Sequence, residues 1–328
     1  MKQMAKWVLT AALCLGAFCT GQAQQVDFQP QGWNTWDNRS VLHHVLLPDG
    51  LAVQLQLVDT VSGDILQYAF TGNKVQGTEQ VRTLAHTPDG SYTALQLEWR
   101  RFRLQVHSLA DGADLYLKIV PEKSAFNPGY LRVQPAFLYG REGAVSPAGA
   151  GWAIATAHRQ LSLLPVGQAG HREGKALHLP LEQPFWIATQ PASPQQADAK
   201  LAAAEAAYWS QRQRYGEAGT SWHIIQNAVN WQVVYDPAQD RALTPVARTW
   251  SYGWGKGQEG GFVQFCWDNF FVAYMHALES RALAFNEVEQ LTRLIDTLGF
   301  VPNYAGPGGE YSRDRSQPPV GSIMVKEI

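Results

Sequence analysis

Tryptophans and polar side chains are concentrated between Tyr208 and Gln317. Six of the chain's twelve tryptophans lie from Trp209 to Trp267. A sugar ring has an apolar C–H face and a polar edge, whereas indole offers a broad face and one N–H donor. Aromatic rings beside carboxylates and amides are therefore suited to holding sugars. Buried aromatic rings are also common in helical cores, and composition alone favours that interpretation.

Asp268 is the first candidate for chemistry. It stands among apolar residues in the segment Phe265–Phe271, at the predicted start of a helix that runs to Ser280. As an N-cap, its carboxylate would accept hydrogen bonds from free backbone N–H groups. As a functional group, it would bind sugar hydroxyls or orient a water molecule. The local sequence leaves both roles open.

Two further polar segments follow, GFVPNY at 299–304 and RDRSQPP at 313–319. Prolines are tolerated in the first turn of a helix, so Pro318 and Pro319 predict a helix that begins near Pro318. Arg315 and Gln317 would then lie on the loop just before it. Taken alone, the charged run that includes Arg315 is typical of a solvated surface.

Several other catalytic signatures are missing from the sequence. It contains no CxxC, HExxH or GxSxG motif, and the pair Gly174-Lys175 is followed by alanine instead of the serine or threonine of a P-loop. We therefore expect no metal site and no cofactor.

The segments WDNFF, GFVPN and RSQPP together resemble glycoside hydrolase family 63 and, more distantly, the trehalases of family 37. The opening GWNTWD at 32–37 also resembles the start of bacterial family 63 members. The resemblance implies an inverting, α-glucosidase-like hydrolase of oligosaccharides. Trehalases carry an Arg-Glu pair where this chain has Phe262 and Val263, so trehalose is disfavoured as a substrate.

The resemblance assigns roles to five residues. Trp267 and Asp268 match the pair that lines the sugar pocket, with Asp268 as the catalytic candidate. Asn303, Arg315 and Gln317 match residues that bind the substrate. The family's general acid and general base follow the RSQPP helix. This chain is therefore expected to be an N-terminal portion without the main catalytic carboxylates.

The elements that would position these residues change in type near Gln190. From about Val41 to Ile187 the apolar residues alternate, as in Leu95, Leu97 and Trp99, and Asp-Gly pairs at 49–50, 89–90 and 111–112 mark tight turns. The pattern predicts an antiparallel β-sandwich over residues 24–190. The fold class predicted is α+β and multidomain, with the sandwich followed by the first part of an (α/α)6 barrel, apparently truncated.

The helical half has its own start and stop signals. Ser193, Pro194 and Gln196 predict an N-cap with a capping box for a linker helix over 191–216, which ends at Gly216. The partial barrel would occupy 217–328. It includes one helix through Val288, Leu291, Ile295 and Leu298, with Asn286 as its cap and Gly299 as its end.

Composition and the first residues indicate where the protein acts. The net charge of −2 provides no basic surface for nucleic acid. Residues 1–23, with Lys2, Lys6 and the apolar run 7–18, are typical of a signal peptide. No later span is apolar enough to cross a membrane, so we expect a periplasmic or secreted protein with Cys266 as its single cysteine. Two alternatives stay open, a non-catalytic carbohydrate-binding protein and a structural surface protein, and no oligomeric state is specified.

Overall fold

Two antiparallel sheets and a following set of helices make up the described part of the chain, which confirms the α+β class. The structure is a computed structural model that describes residues 28–71, 79–122, 129–248, 262–306 and 311–328. The predicted signal peptide lies outside the described residues.

Fifteen strands build the two sheets. In chain order the strands are β1 Gly32–Asn34, β2 His43–Leu47, β3 Leu51–Asp59, β4 Ile65–Leu66, β5 Gln80–His86, β6 Tyr92–Trp99, β7 Phe102–Asp111, β8 Asp114–Pro121, β9 Gly129–Phe137, β10 Ala144–Ala148, β11 Gly151–Ala155, β12 Gln160–Val166, β13 His171–Glu173, β14 Ala176–Pro180 and β15 Phe185–Ala188. The first sheet has the order β1-β2-β3-β9-β14-β13, with β4 paired to β3, and the second has the order β10-β11-β12-β15-β8-β7-β6-β5. Every strand pair in these two sheets is antiparallel.

The two sheets share one hydrophobic core, as the alternation in the sequence predicts. Leu95 and Leu97 of β6 are buried there together with Leu55 and Leu57 of β3 from the opposite sheet. Alternate residues of a strand point to opposite faces, so one face of each strand supplies the core. The glycines of all three Asp-Gly pairs have positive φ, as tight turns of this kind require.

The helical half begins with a helix that the sequence predicts closely. The hydroxyl of Ser193 accepts a hydrogen bond from the backbone N–H of Gln196, whose side chain accepts one from the N–H of Ser193. The helix ends at Gln213, three residues before Gly216. The helices are α1 Pro194–Gln213, a 3₁₀ turn Gly216–Ala218, α2 Gly219–Asn230, α3 Cys266–Ala277, α4 Arg281–Thr292 and α5 Gly321–Glu327, with short strands β16 Val234–Asp236, β17 Arg241–Leu243, β18 Gln264–Phe265 and β19 Tyr304–Ala305.

The prediction for α4 is wrong in position. The helix begins after Ser280, whose hydroxyl accepts a hydrogen bond from the N–H of Leu283, and it ends at Thr292. Asn286 lies inside it and donates instead to the carbonyl of Ala242. The carboxylate of Asp296 accepts from the backbone of Leu298 and Phe300 in a turn, which replaces the expected last helical turns and leaves Leu298 90% exposed.

Two other helix bounds differ from the prediction. Helix α3 ends at Ala277, because Ser280 caps the next helix. Helix α5 begins at Gly321, and Pro318 lies in the preceding turn, where its carbonyl accepts from the N–H of Val320. None of the helices among the described residues combines the length and the hydropathy needed to cross a membrane.

Residues of the helical half pack on the outer faces of both sheets. Leu201 and Tyr208 of α1 pack with Tyr92 and Trp186 on the second sheet. On the first sheet, Val45 and Ala52 pack with Val233, Tyr235 and Leu283 from the helical half. The sheets therefore form the base on which the helices that carry the candidate site are held.

Polar contacts also join the sheets to the helical half. The buried guanidinium of Arg248 donates to the carbonyl oxygens of Thr35, Asp37 and Trp231, so it joins the GWNTWD segment to the helical half. Burial lowers the pKa of Arg248 to about 10. Burial alone would raise the pKa of the Asp37 carboxyl, but the hydrogen bond and charge of His43, 2.5 Å away, together with the guanidinium of Arg39, leave that pKa below its ordinary value.

Candidate functional site

Three segments that are distant in sequence meet at the start of α3. The N–H of Cys266 donates to the carbonyl of Asn303 at 3.0 Å, and the N–H of Asn303 donates to the carbonyl of Arg315 at 3.1 Å. The N–H of Trp267 donates to the side-chain carbonyl of Gln317 at 2.6 Å. Each of the five residues singled out in the sequence therefore belongs to one junction or adjoins it.

Two serines hold the loops of this junction in place. The hydroxyl of Ser312 accepts from the N–H of Asn303 at 2.8 Å and from that of Tyr304 at 3.3 Å. The hydroxyl of Ser316 donates to the carbonyl of Val301. The short pair of strands β18 and β19 adds a backbone ladder, with Phe265 opposite Tyr304. Because most of these contacts involve the backbone, the junction places its segments independently of the exposed side chains.

Gln317 caps α3, and the N-cap interpretation of Asp268 is wrong. The N-cap residue is Phe265, whose side chain accepts no hydrogen bond. The first N–H groups of a helix lack partners within the helix, and a side-chain oxygen normally satisfies one of them. Here the amide of Gln317 does so from a different loop.

Asp268 is the third residue of α3 and is half-buried. Its carboxylate forms no hydrogen bond with the other described residues. A negative charge in the first turn is stabilised by the helix dipole. Burial raises the pKa of the adjacent Cys266 thiol, and the charge of Asp268 adds to that shift. The carboxylate is thus placed at a helix N-terminus without a side-chain partner among the described residues.

Trp267 begins an exposed aromatic stripe on α3. Trp267, Phe271 and Tyr274 are 38%, 38% and 39% exposed. Residues three or four apart lie on the same side of a helix, so these three rings form one surface, which we call the α3 aromatic face. The rings of Trp267 and Phe271 meet edge to face, with their centroids 6.2 Å apart.

Arg315 and Asn303 are joined through their backbones rather than their side chains. The guanidinium of Arg315 is exposed and pairs with Asp314 at 2.6 Å, as a solvated charged run would. Asn303 is buried; its N–H donates to Ser312 and Arg315, and its carbonyl accepts from the N–H of Cys266. Of the five predicted residues, Trp267, Asp268 and Gln317 bring their functional groups to the helix start.

A buried polar network lies behind Asp268, and the sequence analysis missed it. The side chain of Asn269 donates to the carbonyl of Thr244 at 2.6 Å and to the carboxylate of Glu287 at 3.3 Å. The hydroxyl of Thr244 lies 2.9 Å from Nε2 of His276. Burial raises the pKa of Glu287 to about 7 and lowers that of His276 to about 3. A signal was present for His276, which follows an apolar stretch of α3, but Glu287 lies among other polar residues of α4.

A separate cavity of about 570 Å³ adjoins the junction. It lies between the β16–β17 hairpin, β18 and the chain that follows α4, and its polar lining includes Arg241, Gln264, Gln290 and Arg293. Along β18, Gln264 and Phe265 point to opposite faces. None of the five predicted residues lines this cavity, so it is distinct from the helix start.

The described residues hold no group of three or more His, Cys, Asp or Glu side chains arranged to bind a metal ion. No protein-family model matches the sequence, and no curated protein matches it significantly.

Proposed function

We propose that this protein is an exported glycoside hydrolase of the family 63 type, an inverting α-glucosidase that acts on oligosaccharides in the periplasm or outside the cell. Its helical half would be the first part of an (α/α)6 barrel. The start of α3 would form one wall of the sugar pocket.

The convergence of the three segments at this helix start is the observation that carries the proposal. Trp267 supplies an exposed indole, and Asp268 supplies a carboxylate without a hydrogen-bond partner among the described residues. Asn303, Arg315 and Gln317 lie on the loops bonded to the same turn. An aromatic face beside a carboxylate and amides matches the two sides of a sugar ring.

Hydrolysis of a glycosidic bond needs two carboxyl groups, which in inverting enzymes stand roughly 6.5–9.5 Å apart. The proposal assigns Asp268 to catalysis, as a group that positions the substrate or a water molecule. It assigns no second catalytic carboxylate among the described residues.

The test is the release of free glucose from α-linked glucose disaccharides by the complete enzyme, which supplies the general acid and base, and by its Asp268→Asn variant. Loss of a group that positions the reactants lowers the rate by roughly 10²-fold, so we expect a loss of this size with little change in the thermal midpoint. Glu182→Gln, at an exposed position in the sheet half, is the matched control. A near wild-type rate for Asp268→Asn would refute the catalytic role.

A second candidate is a carbohydrate-binding protein without hydrolytic activity. The α3 aromatic face favours it, because three rings on one helix surface offer a platform for sugar stacking. Titration of the tryptophan fluorescence with the same disaccharides would then be saturable while no glucose is released. Trp267→Ala should abolish the response, whereas Trp209→Ala, at a similarly exposed tryptophan of α1, should retain it.

A further inference from the structure

The cavity of about 570 Å³ beside β18 is large enough for a small organic molecule, since such sites typically measure 300–1,000 Å³. Its lining combines apolar groups, among them Leu243 and Phe262, with two guanidinium groups, several amides, the phenol of Tyr311 and the carboxylate of Asp296. A few polar groups on an apolar wall are typical of ligand sites.

Two hydrogen-bond donors in this lining are buried and have no partner among the described residues. One is Nε2 of Gln264, a residue that is only 6% exposed, and the other is Nε of Arg241. An unpaired buried donor destabilises the fold, and a bound acceptor would remove that penalty. Both donors therefore favour a ligand that brings acceptor oxygens.

The charges around the cavity leave Arg241 without a carboxylate partner among the described residues. Its guanidinium donates to the neutral amide of Gln290. The carboxylate of Asp296 accepts from the backbone of its own turn, that of Asp236 accepts from Ala238 and Gln239, and that of Glu289 pairs with Arg293.

The guanidinium groups of Arg241 and Arg293 also oppose each other. Burial lowers the pKa of Arg241, and the positive charge of Arg293 lowers it further, whereas the charges of Asp236 and Glu289 oppose that shift. A negative group placed between them would relieve this repulsion. An arginine fork binds carboxylate and phosphate oxygens in a bidentate geometry.

We infer that this cavity binds the oxyanion group of a small organic ligand, a carboxylate or a phosphate ester, through the Arg241 guanidinium and the Gln264 amide. The site is independent of the proposed glycosidase activity, because none of the residues assigned to that activity lines the cavity.

The experiment is isothermal titration calorimetry of the full chain with D-glucuronate, D-glucose 6-phosphate and D-glucose. At least one of the two anions should bind saturably, and D-glucose should bind roughly tenfold more weakly or not at all. The anion that binds more tightly identifies the carboxylate or the phosphate ester as the source of the oxyanion. Equal affinity for D-glucose, or no binding of either anion, would overturn the inference.

Variants of the lining residues test whether the anion binds in this cavity. Arg241→Met keeps the aliphatic stem and removes the charge, so anion affinity should fall roughly tenfold or more, since hydrogen bonds to charged groups contribute about 1.5–3 kcal/mol. Gln264→Met should weaken binding several-fold, and it carries the test should Arg241→Met fail to fold. Arg103→Met on the sheet surface should bind as the wild type does. Unchanged affinity in both cavity variants would contradict the inference, whatever the outcome for glucose release.

Discussion

The backbone N–H of Trp267 donates a hydrogen bond of 2.6 Å to the side-chain carbonyl of Gln317, fifty positions later in the chain. The first turn of α3 is therefore completed by a loop residue, because Phe265 at the N-cap has no oxygen to offer. The indole and carboxylate of the proposed sugar wall stand on this turn. Gln317, assigned by resemblance to sugar binding, thus has an observed role in holding the turn.

Replacement of Gln317 should loosen that turn. Gln317→Ala removes a capping interaction, so the free energy of unfolding should fall by about 1 kcal/mol, the usual cost of a lost cap. The measurement is urea denaturation followed by circular dichroism. Gln195→Ala, at an exposed position of α1, is the matched control and should change stability by less than about 0.5 kcal/mol. Equal stability of the two variants would show that the hydrogen bond contributes nothing.

Glu287 should make the stability depend on pH. Burial raises its pKa to about 7, so the folded state favours the protonated carboxyl. The stabilisation of the folded state by the protonated carboxyl is fully present below pH about 4.5 and is lost as the pH rises through 7. Relative to the wild type, Glu287→Gln should gain stability between pH 4.5 and 8, by an amount on the order of 3 kcal/mol.

The comparison with the wild type separates Glu287 from the buried histidines. Burial lowers the pKa of His44 and His276 to about 3 and that of His86 to about 4, so their contributions are lost as the pH falls below 6.5. The histidines are present in the wild type and in Glu287→Gln alike, so their contributions cancel when the free energies of unfolding of the two proteins are subtracted. Glu182→Gln should give a flat difference across the same range. A flat difference for Glu287→Gln as well would mean that the carboxyl titrates normally in the folded protein.

Breaking the buried ion pair between Arg212 and Glu279 should lower the free energy of unfolding far more than breaking an exposed ion pair. Its atoms are 3.0 Å apart, and the two side chains are 3% and 2% exposed. Arg212→Met would leave a buried carboxylate without its counter-charge, which costs about 3–5 kcal/mol. Burial raises the pKa of Glu279, and the guanidinium of Arg212 opposes that shift.

Thermal and urea unfolding of three variants would test this expectation. Arg212→Met combined with Glu279→Gln should recover part of the stability lost in Arg212→Met alone, because no unpaired charge remains. Arg103→Met, which breaks the exposed pair with Glu98, should change the free energy of unfolding little, because solvent screens this pair. Similar losses for the buried and the exposed pair would contradict the expected cost of an unpaired buried charge.

Local patterns were sufficient to predict the strands and the first helix. Leu95, Leu97 and Trp99 alternate with polar neighbours, and all three are buried in the core. Ser193 and Gln196 form their capping box within four consecutive residues. In both places the stabilising partners are close in sequence, so a short window contains the necessary information.

Sequence patterns that fit more than one local structure did not predict the observed one. Asn286 and Glu289 have the spacing of a helix start, but Asn286 instead donates to the carbonyl of Ala242 from the middle of α4. The buried network of Asn269, Thr244 and Glu287 joins residues far apart in the chain. Its contacts arise only when tertiary packing brings the segments together, and the same is true of the cap from Gln317. Residue spacing does not predict such contacts; the meeting of the three segments was expected only from the resemblance.

The hydrogen bonds of Arg248 affect the order in which parts of the chain can reach their folded state. Its guanidinium donates to the backbone oxygens of Thr35 and Asp37, more than two hundred positions earlier. During synthesis from the amino terminus, these two oxygens emerge long before the group that will satisfy them, and buried backbone acceptors require such partners. The segment that holds Thr35 and Asp37 can reach its final state only after Arg248 has been made, so its completion is a late event.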